Sequence, residues 1–372
     1  MVIVHIASIV ENQCDGVSYV VPEHVKNQTY FADVCFINIK GYNIPSIKKQ
    51  FYLKNNSLLT LPNPYNHPDL VVFHQTYIKE YLAIYKDLVK RKITYIILPH
   101  GDLTKIAQKK KFIKKKIANI LLFNSFINKA AALQCLSKQE MMNTHFSVSK
   151  IIGKNGVYIP NIKKDCFSTN KIQFTYIGRL EQYTKGLDLL IKSVSSIKDY
   201  LVAKNCVFDI YGPDILGRCK KLNKLIKHYN VTHLIKTHYP VYGKEKEDIL
   251  LATDVFIQTS RTEGMPVGIL EALAYGVPCL VTKGTNLYDD IQNSNSGWAC
   301  ETNVNAIAKN IILVLEEKDK LIMKGNNAVK MILNNFEWKQ ISEETVESYK
   351  KIIGYGEELL WQSILSFKIK WL

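Results

Sequence analysis

The stretch VFIQTSRTEGMPVGILEALAYGVPCLV, residues 255–281, decides the fold of this chain. It begins and ends with short apolar runs, at 255–258 and 278–281, of the kind that form buried strands in parallel sheets. Residues 266–275 between them are long enough for a helix, and Pro266 suits the first helical turn. A strand, a helix and a second strand in this order predict a parallel βαβ unit.

The same alternation of apolar runs and helical patterns extends over most of the chain. Further strands are predicted at residues 2–7, 34–39, 70–73, 95–98, 132–136, 172–177, 207–211 and 234–237. Helices are predicted at residues 77–90, 103–126, 186–198, 215–229, 244–251 and 304–315, followed by a purely helical end with candidates at 318–334 and 338–352. The alternation stops over residues 154–168, where Gly156, Pro160 and Asn161 indicate a linker.

The length of 372 residues is about twice what one hydrophobic core usually organises. We therefore predict an α/β protein with two Rossmann-like, doubly wound domains, residues 1–165 and 166–340, that face a central cleft. A helical tail, residues 341–372, is expected to pack back on the first domain. Ligands of such sheets bind beyond the carboxyl ends of the strands, so functional residues are expected just after strands.

The composition fits a globular chain and is unevenly charged. Hydrophobic residues make up 47% and charged residues 22%, which excludes a disordered or fibrous protein. The net charge is +16, and residues 1–168 hold 23 basic and 10 acidic side chains, against 26 and 23 in the remainder. The first half is therefore expected to meet an anionic partner.

The cysteine pattern and the hydropathy pattern bear on the compartment. The eight cysteines are scattered without a C-x-x-C pair, which indicates a reduced, cytosolic environment. The N-terminal residues lack the features of a signal peptide and fit a first strand instead. No run of 18 apolar residues occurs, so no membrane-spanning segment is predicted.

Two carboxylates stand in the deciding stretch. Glu263 follows the predicted strand, whereas Glu271 lies more than one turn into the helix. Unpaired amides at the start of that helix suit an anionic or hydroxyl-rich ligand, and the two carboxylates can accept hydrogen bonds from hydroxyl groups on two sugar rings. The alternative is a surface loop and a helix with an acidic face, which Glu271 alone would favour. The combined string favours a ligand site.

A second motif, YIGRLEQYTKGL at residues 176–187, carries two cations around one strand–helix loop. Arg179 follows the strand and Lys185 precedes the helix. A planar guanidinium fork and a point charge that converge on one loop are suited to a diphosphate. Either cation alone would more often be solvated surface, but the pair favours a phosphate site.

With these two motifs the chain resembles the family-4 retaining glycosyltransferases of the GT-B fold, in particular the bacterial enzymes of capsule, O-antigen and cell-wall polysaccharide synthesis. The resemblance implies that Arg179 and Lys185 hold the donor diphosphate and that Glu271 binds the ribose hydroxyls. It also implies that Glu263 contacts the donor sugar. The remaining donor contacts that it implies come from the backbone of Gly264, Met265, Pro266 and Val267 and from the base-binding loop with Tyr239, Pro240 and Val241.

In the first half the resemblance is weaker. His100, in the string PHGD after a predicted strand, matches the family position where a histidine faces the transferred sugar; the alternative is a satisfied loop histidine. The resemblance also implies that the loop after the first strand, with Gly16 and Val17, faces the donor or the acceptor, and Gly16 is a predicted donor contact. The family commonly has Gly-Gly in this loop, where this chain has Asp15-Gly16. The usual Pro-Asn-Gly of the linker is also changed, to Pro160-Asn161-Ile162.

A polybasic segment, KKKFIKKK at residues 109–116, precedes an amphipathic stretch at 117–133. Each lysine near an anionic membrane surface contributes about 1 kcal/mol, so this segment is predicted to bind the inner face of the cell membrane. Electrostatics alone would also allow nucleic acid, but no nucleic-acid motif supports it. The tail at 359–372 could add membrane contact or pack on the first domain. The predicted membrane contacts are Lys109, Lys110, Lys111, Lys114, Lys115 and Lys116.

No Asp-x-Asp clamp occurs, so no metal and no other cofactor is expected, with Arg179, Lys185 and helix amides stabilising the leaving group. The expected function is the transfer of a sugar from a nucleotide-diphosphate donor to a lipid-linked or glycan acceptor, with retention of configuration. A UDP-sugar is the expected donor, because it is the commonest one in the family that the chain resembles. His100 and Glu263 are the predicted catalytic residues. Two alternatives stay open: a non-catalytic accessory subunit that binds a partner transferase, and a sugar-nucleotide epimerase or phosphorylase of the same fold.

Overall fold

The computed structural model describes residues 1–10, 16–109, 112–168 and 170–354. The chain divides into two compact units, unit 1 with residues 1–155 and the chain from residue 338 onward, and unit 2 with residues 156–337. The boundaries thus differ from the predicted ones at 165 and 340. The Val157 N–H donates to the Phe336 carbonyl at 2.8 Å and the Lys164 N–H donates to the Tyr275 carbonyl at 2.7 Å, so the predicted linker is bound into unit 2.

Unit 1 is built on a seven-stranded parallel sheet in the order β3-β2-β1-β4-β5-β6-β7. Almost every residue of the central strands is buried, because helices cover both faces of a parallel sheet. The strand order reverses between β1 and β4, and this reversal defines the edge at which a ligand is expected. The strands are β1 (Val2–Ala7), β2 (Asp33–Asn38), β3 (Gln50–Phe51), β4 (Leu70–His74), β5 (Tyr95–Leu98), β6 (Ala132–Cys135) and β7 (Lys150–Ile152).

The helices of unit 1 connect these strands. Their bounds are α1 (Gly16–Gln28), α2 (Tyr81–Lys90), α3 (Lys105–Lys109), α4 (Phe112–Ala118), α5 (Asn124–Asn128) and α6 (Lys138–Asn143). A π-helical turn, Asn119–Phe123, joins α4 to α5, and a 3₁₀ turn forms at Leu58–Thr60. Ser137 caps α6, since its hydroxyl accepts from the Glu140 N–H at 3.0 Å.

Unit 2 is built on a six-stranded parallel sheet in the order β10-β9-β8-β11-β12-β13, with the reversal between β8 and β11. The strands are β8 (Ile172–Ile177), β9 (Cys206–Tyr211), β10 (Ile235–His238), β11 (Val255–Gln258), β12 (Cys279–Thr282) and β13 (Gly297–Cys300). The helices are α7 (Leu187–Ser196), α8 (Lys198–Ala203), α9 (Arg218–His228), α10 (Gly243–Ala252), α11 (Val267–Ala274), α12 (Tyr288–Ser294), α13 (Val304–Glu316) and α14 (Leu321–Asn335), with 3₁₀ turns at Ile215–Gly217, Lys283–Thr285 and Lys318–Lys320.

A last helix, α15 (Trp338–Ile352), returns to unit 1 and packs along α1. Val346 and Tyr349 are fully buried in the core that covers one face of the first sheet. The Tyr349 hydroxyl donates to Oε1 of Gln134 in β6, which ties the helix to the sheet. The predicted tail began at 341, within this helix, and its aromatic end at 359–372 lies outside the described residues.

The two parallel sheets with helices confirm the predicted fold class. In the part of the chain that the structure describes, no helix combines the length and the apolar character that crossing a bilayer requires.

Candidate functional site

The deciding stretch forms the βαβ unit β11–α11–β12, and the loop after β11 lies at the strand reversal of unit 2. Helix α11 begins directly over the end of β8: a Cβ added at Gly268 would lie 3.3 Å from the Ile177 carbonyl oxygen. The Asn286 amide donates to the carbonyls of Glu263 at 2.6 Å and Gly264 at 2.8 Å, which holds the loop in place. The sequence therefore sets a helix N-terminus, with its unpaired amides, at the expected ligand edge.

Within this loop, Met265 and Pro266 are buried, whereas Gly264 and Val267 are partly exposed. Pro266 has an extended conformation, with φ −76° and ψ 114°, and α11 starts at the next residue. Of the four predicted backbone contacts, Gly264 and Val267 are thus the two that solvent reaches.

Glu263 and Lys185 form an ion pair that the sequence did not predict. The Lys185 Nζ donates to both carboxylate oxygens of Glu263, at 2.7 and 2.8 Å, and the two side chains are only 12% and 11% exposed. Gln258 Nε2 and Ser260 Oγ also donate to Oε1 of Glu263, at 2.9 and 2.6 Å. Glu263 is therefore held in one orientation by three side chains, and Lys185 is charge-balanced before any ligand arrives.

Arg179 is different from Lys185. It follows β8, is partly exposed, and its guanidinium makes no hydrogen bond or ion pair with the described residues. Its backbone is fixed, because the Tyr176 hydroxyl donates to the Arg179 carbonyl at 2.9 Å. The Gly178 carbonyl oxygen also packs closely against Gly212, the residue after β9: a Cβ added at Gly212 would lie 2.0 Å from this oxygen. Arg179 is the cation of this loop that is ready to bind an anion.

Glu271 lies on α11 and pairs with Lys246 of α10, at 2.5 Å from Nζ to Oε2. Both side chains are largely covered, at 16% and 23% exposure. One carboxylate oxygen is thus engaged by a lysine that the sequence reasoning did not select. Across Arg179, Lys185, Glu263, Glu271 and Lys246 the formal charge is +1, which suits a site for an anionic ligand.

A second unpredicted contact braces the two motifs against each other. Arg261 forms a bidentate pair with Asp188 of α7, at 2.6 and 2.8 Å, and donates to the Tyr183 carbonyl at 2.6 Å. The guanidinium also lies 4.3 Å from the centre of the Tyr183 ring. The loop after β11 and the loop before α7 are therefore held together at the mouth of the site.

The predicted base-binding loop follows β10. Tyr239 is 90% exposed, Val241 is buried, and Pro240 lies between these extremes. Just before the loop, His238 stacks on Tyr211 with ring centres 4.5 Å apart, and its Nε2 lies 2.6 Å from a carboxylate oxygen of Asp209. This loop can offer the face of an exposed aromatic ring and backbone groups, but the Val241 side chain itself is inaccessible.

In unit 1, His100 follows β5 and is half-buried, with a left-handed backbone at φ +52°. Its Nε2 lies 3.1 Å from Nδ1 of His74. Burial lowers the pKa of His100 to about 3, so the ring is neutral at physiological pH. Gly16 begins α1 and has open space where a Cβ would stand, while Asp15 beside it lies outside the described residues.

The polybasic segment is only partly a solvated face. Lys109, Lys114 and Lys116 are exposed to solvent. Lys115 is half-buried and donates to the Ala107 carbonyl at 2.9 Å, so among the described lysines of this segment it is the one partly turned away from solvent. The predicted contacts Lys110 and Lys111 lie outside the described residues. Around these lysines α3, α4 and the π-helical turn expose a set of large apolar side chains: Ile106, Phe112, Ile113, Ile117, Ile120, Leu121 and Leu122.

Comparison with known proteins identifies the fold and shows a family similarity within unit 2. Residues 159–331 match the family described as "Glycosyl transferases group 1". The structure superposes on the Anabaena protein HepE in complex with UDP with a TM-score of 0.70 at 15% identity, over 94% of this chain and 100% of that one. Residues 159–331 are thus similar to the group 1 glycosyl transferases, and the chain has the GT-B fold.

Two sequence relatives of this GT-B chain have names that describe transfer to lipid-linked sugars. The "UDP-Gal:alpha-D-GlcNAc-diphosphoundecaprenol alpha-1,3-galactosyltransferase" of Escherichia coli is 30% identical over 172 residues, which are 45% of this chain and 42% of that protein. The "N,N'-diacetylbacillosaminyl-diphospho-undecaprenol alpha-1,3-N-acetylgalactosaminyltransferase" of Campylobacter jejuni is 24% identical over 61% of this chain and 60% of that one. The aligned segments thus span about half the length of these relatives.

Proposed function

We propose that this chain is a retaining, metal-independent glycosyltransferase that moves a sugar from a nucleotide-diphosphate donor, with UDP as the carrier, to a lipid-linked acceptor in bacterial surface polysaccharide synthesis. The observation that carries the proposal is the edge of the second sheet, where Arg179, unpaired among the described residues, and the start of α11 follow the adjacent strands β8 and β11 at the strand reversal. The names of the two relatives support a UDP-sugar donor and a polyprenyl-diphosphate acceptor.

Arg179 supplies the charge for the donor diphosphate. Because its guanidinium has no partner among the described residues, it can bind phosphate oxygens without first breaking a contact. Lys185, which already pairs with Glu263, would share its ammonium with a phosphate oxygen of the donor. Fixed donors and helix amides stabilise the negative charge that develops on the leaving nucleotide, and this is the part that a divalent metal plays elsewhere.

Retention follows from a front-side reaction. The acceptor hydroxyl forms the new glycosidic bond on the face that the nucleotide leaves, while the bond from the anomeric carbon to the diphosphate oxygen breaks. The hydroxyl proton passes to an oxygen of the departing diphosphate, so no enzyme nucleophile is needed. Glu263 is a donor-binding carboxylate that stabilises the positive charge developing on the sugar ring, because three side chains fix its position.

The experiment is a transfer assay with UDP-sugars and a polyprenyl-diphosphate-linked acceptor, with chelator present. Wild type is expected to form product, and nuclear magnetic resonance of the product should show the anomeric configuration of the donor. Arg179→Ala should abolish transfer, whereas Lys171→Ala, at the opposite end of the same strand, should leave it intact. Transfer that needs a divalent ion, or that inverts the configuration, would contradict the corresponding part of the proposal.

We also propose that the first unit binds the anionic inner membrane surface through its basic apolar face, defined by exposed Lys109, Lys114 and Lys116 and the exposed apolar side chains around them. The apolar side chains can enter the headgroup region while the lysines meet anionic lipid, an arrangement typical of interfacial helices. Such a surface is expected to bind a membrane more strongly than nucleic acid, which offers no place for apolar side chains.

Pelleting with vesicles tests this surface. Wild type should sediment with phosphatidylglycerol-containing vesicles and much less with purely zwitterionic ones. The variant Lys114→Glu/Lys116→Glu and the variant Ile113→Asp/Leu121→Asp should both stay in solution, whereas Lys48→Glu/Lys90→Glu, which changes the charge equally at other exposed sites, should still sediment. Equal loss of vesicle binding in Lys114→Glu/Lys116→Glu and in the control Lys48→Glu/Lys90→Glu would show that only the total charge matters, and would contradict the proposed surface.

A further inference from the structure

Four histidines, three of them buried and one partly exposed, lie behind the carboxyl edge of the first sheet. His5 is in β1, His74 ends β4, His100 follows β5, and His24 lies on α1. Three of them form one chain: the His5 Nδ1 lies 2.9 Å from the His74 Nε2, and the His74 Nδ1 lies 3.1 Å from the His100 Nε2. The rings stack in sequence, with centres 5.1 and 5.4 Å apart. Gln28 closes the inner end, where its Oε1 lies 3.0 Å from the His5 Nε2.

The chain runs from the core to the surface. His5 and His74 have no solvent exposure, whereas His100 is half-exposed and its Nδ1 has no hydrogen-bond partner among the described residues. Burial lowers the pKa of His5 and of His100 to about 3, and that of His74 well below its usual value. Nearby, burial also lowers the pKa of His24 to about 4 and raises the pKa of Asp102 to about 6 and of Glu140 to about 7. All four rings are therefore neutral at pH 7.

A neutral imidazole has one N–H and one lone pair, so the hydrogen bonds assign the tautomers in turn. In the amide orientation of the structure, Oε1 of Gln28 faces His5 and can only accept, so His5 is protonated at Nε2 and offers a lone pair at Nδ1. That lone pair requires the proton of His74 at Nε2, and the lone pair left at His74 Nδ1 requires the proton of His100 at Nε2. The outer nitrogen of His100, Nδ1, is then a bare acceptor.

The main chain around His100 is fixed as well. His100 and Gly101 have φ values of +52° and +87°, and the Gly101 N–H donates to Oε1 of buried Glu140 at 2.7 Å. The second oxygen of Glu140 accepts from the Leu136 N–H at 2.7 Å. A left-handed histidine costs free energy, and the contact with Glu140 stabilises the turn in this conformation. The ring of His100 is thus oriented from the backbone and from His74 together.

We propose that Gln28, His5 and His74 are positioning residues that fix His100 in the neutral tautomer protonated at Nε2, so that its Nδ1 accepts a hydrogen bond from a sugar hydroxyl. The assignment of the sugar as the ligand rests on the proposed function, whereas the tautomer is a property of the chain alone. In this arrangement His100 orients a hydroxyl group and does not act as a general acid, because it has no proton to give at its outer nitrogen.

Nitrogen-15 spectra of the full chain, labelled at histidine, test the tautomers without substrate. Wild type at pH 7 should show His5, His74 and His100 with a protonated Nε2 and an unprotonated Nδ1. Gln28→Leu removes the inner acceptor and should give mixed tautomers in these three rings, whereas Gln28→Glu, which keeps an acceptor oxygen, should not. His24, which bonds to Asn155, serves as the internal control. A wild-type His100 protonated at Nδ1, or unchanged tautomers in a folded Gln28→Leu, would overturn the proposal.

Turnover tests the role of the free lone pair. His100→Asn places an acceptor oxygen near the Nδ1 position and tolerates the left-handed backbone, so it should retain more kcat than His100→Gln, whose polar atoms reach the Nε2 position. His74→Leu should lower kcat about 10-fold with little change in KM for the donor, the size expected for a lost supporting hydrogen bond. Equal loss in the Asn and Gln variants would overturn the assignment of Nδ1. Absence of transfer in wild type would instead refute the proposed function and leave the spectra to decide the tautomers.

Discussion

The Lys185–Glu263 pair allows a quantitative test of how the candidate site is held together. At 2.7 Å and with both side chains about nine-tenths buried, the attraction is about 6 kcal/mol at an effective dielectric constant of about 20. Loss of hydration of the two charges opposes most of this. Lys185→Met leaves Glu263 buried with only Gln258 and Ser260 as donors, so the free energy of unfolding should fall by about 3 kcal/mol, the low end for a broken buried pair.

A double-mutant cycle isolates the pair. Lys185→Met, Glu263→Gln and the double variant should give a coupling energy of about 2 kcal/mol in urea unfolding of the full chain, because the double variant buries no unpaired charge. The Lys283–Glu301 pair of the same unit, 3.3 Å long and more than half exposed, is the control and should couple by less than about 0.5 kcal/mol. A Lys185–Glu263 coupling no larger than the control would refute the buried-pair account.

Three further predictions concern turnover, packing and pH. Glu263→Ala should lower kcat more than it weakens donor binding, measured by steady-state kinetics and calorimetry, and intact turnover would show that Glu263 does not act on the reacting sugar. Gly186→Ala should destabilise unit 2 by about 3 kcal/mol, because Gly186 has φ +64° and a Cβ there would lie 1.8 Å from the Thr259 carbonyl oxygen. The control Gly217→Ala, with a similar φ of +68° but open space around the Cβ, should cost about 1 kcal/mol. Equal losses of stability in urea unfolding would contradict this. Burial lowers the pKa of His5 to about 3 and that of His24 to about 4 in the folded chain, whereas both side chains take up protons near pH 6.5 in the unfolded chain. The free energy of unfolding should therefore fall as the pH drops below 6.5, by up to about 1.4 kcal/mol per pH unit for each histidine. Above pH 6.5 the two histidines should have no such effect. His24→Gln should make that slope shallower by one proton in urea unfolding at pH 7, 6 and 5, and an unchanged slope would argue against a neutral His24.

The strands that the sequence predicted share one physical property, which is a run of apolar residues that only a covered sheet can bury. All ten predicted strands form, with ends shifted by at most one residue. The three missed strands lack that property: β3 has two residues, β7 begins with a lysine, and β13 begins with Gly297, where a Cβ would lie 2.0 Å from the Cys279 carbonyl oxygen. Helix α1 was missed because it contains Pro22 and has little amphipathic character.

The candidate site was predictable where a motif is local and unpredictable where contacts join distant segments. Arg179, Lys185 and Glu263 stood out because each lies in a loop between a strand and a helix, and Glu271 because it follows Glu263 within the same motif. That Lys185 pairs with Glu263, 78 residues away, follows from the adjacency of β8 and β11, which no local pattern encodes.

The histidine chain was missed for the same reason. It joins the neighbouring strands β1, β4 and β5, whose order is set by packing. A signal did exist, since histidine is an unusual residue in the otherwise apolar strands at His5 and His74.

The central claim, that the edge of the second sheet binds a nucleotide diphosphate through Arg179, is tested most directly by thermal unfolding with UDP, GDP and ADP in the presence of chelator. A nucleotide at about 100 times its dissociation constant adds roughly 2.7 kcal/mol to the stability of the folded chain, enough to raise Tm visibly. The account predicts a rise with UDP in wild type and in Lys171→Ala that disappears in Arg179→Ala. No rise with any nucleotide, or an equal rise in Arg179→Ala, would contradict it.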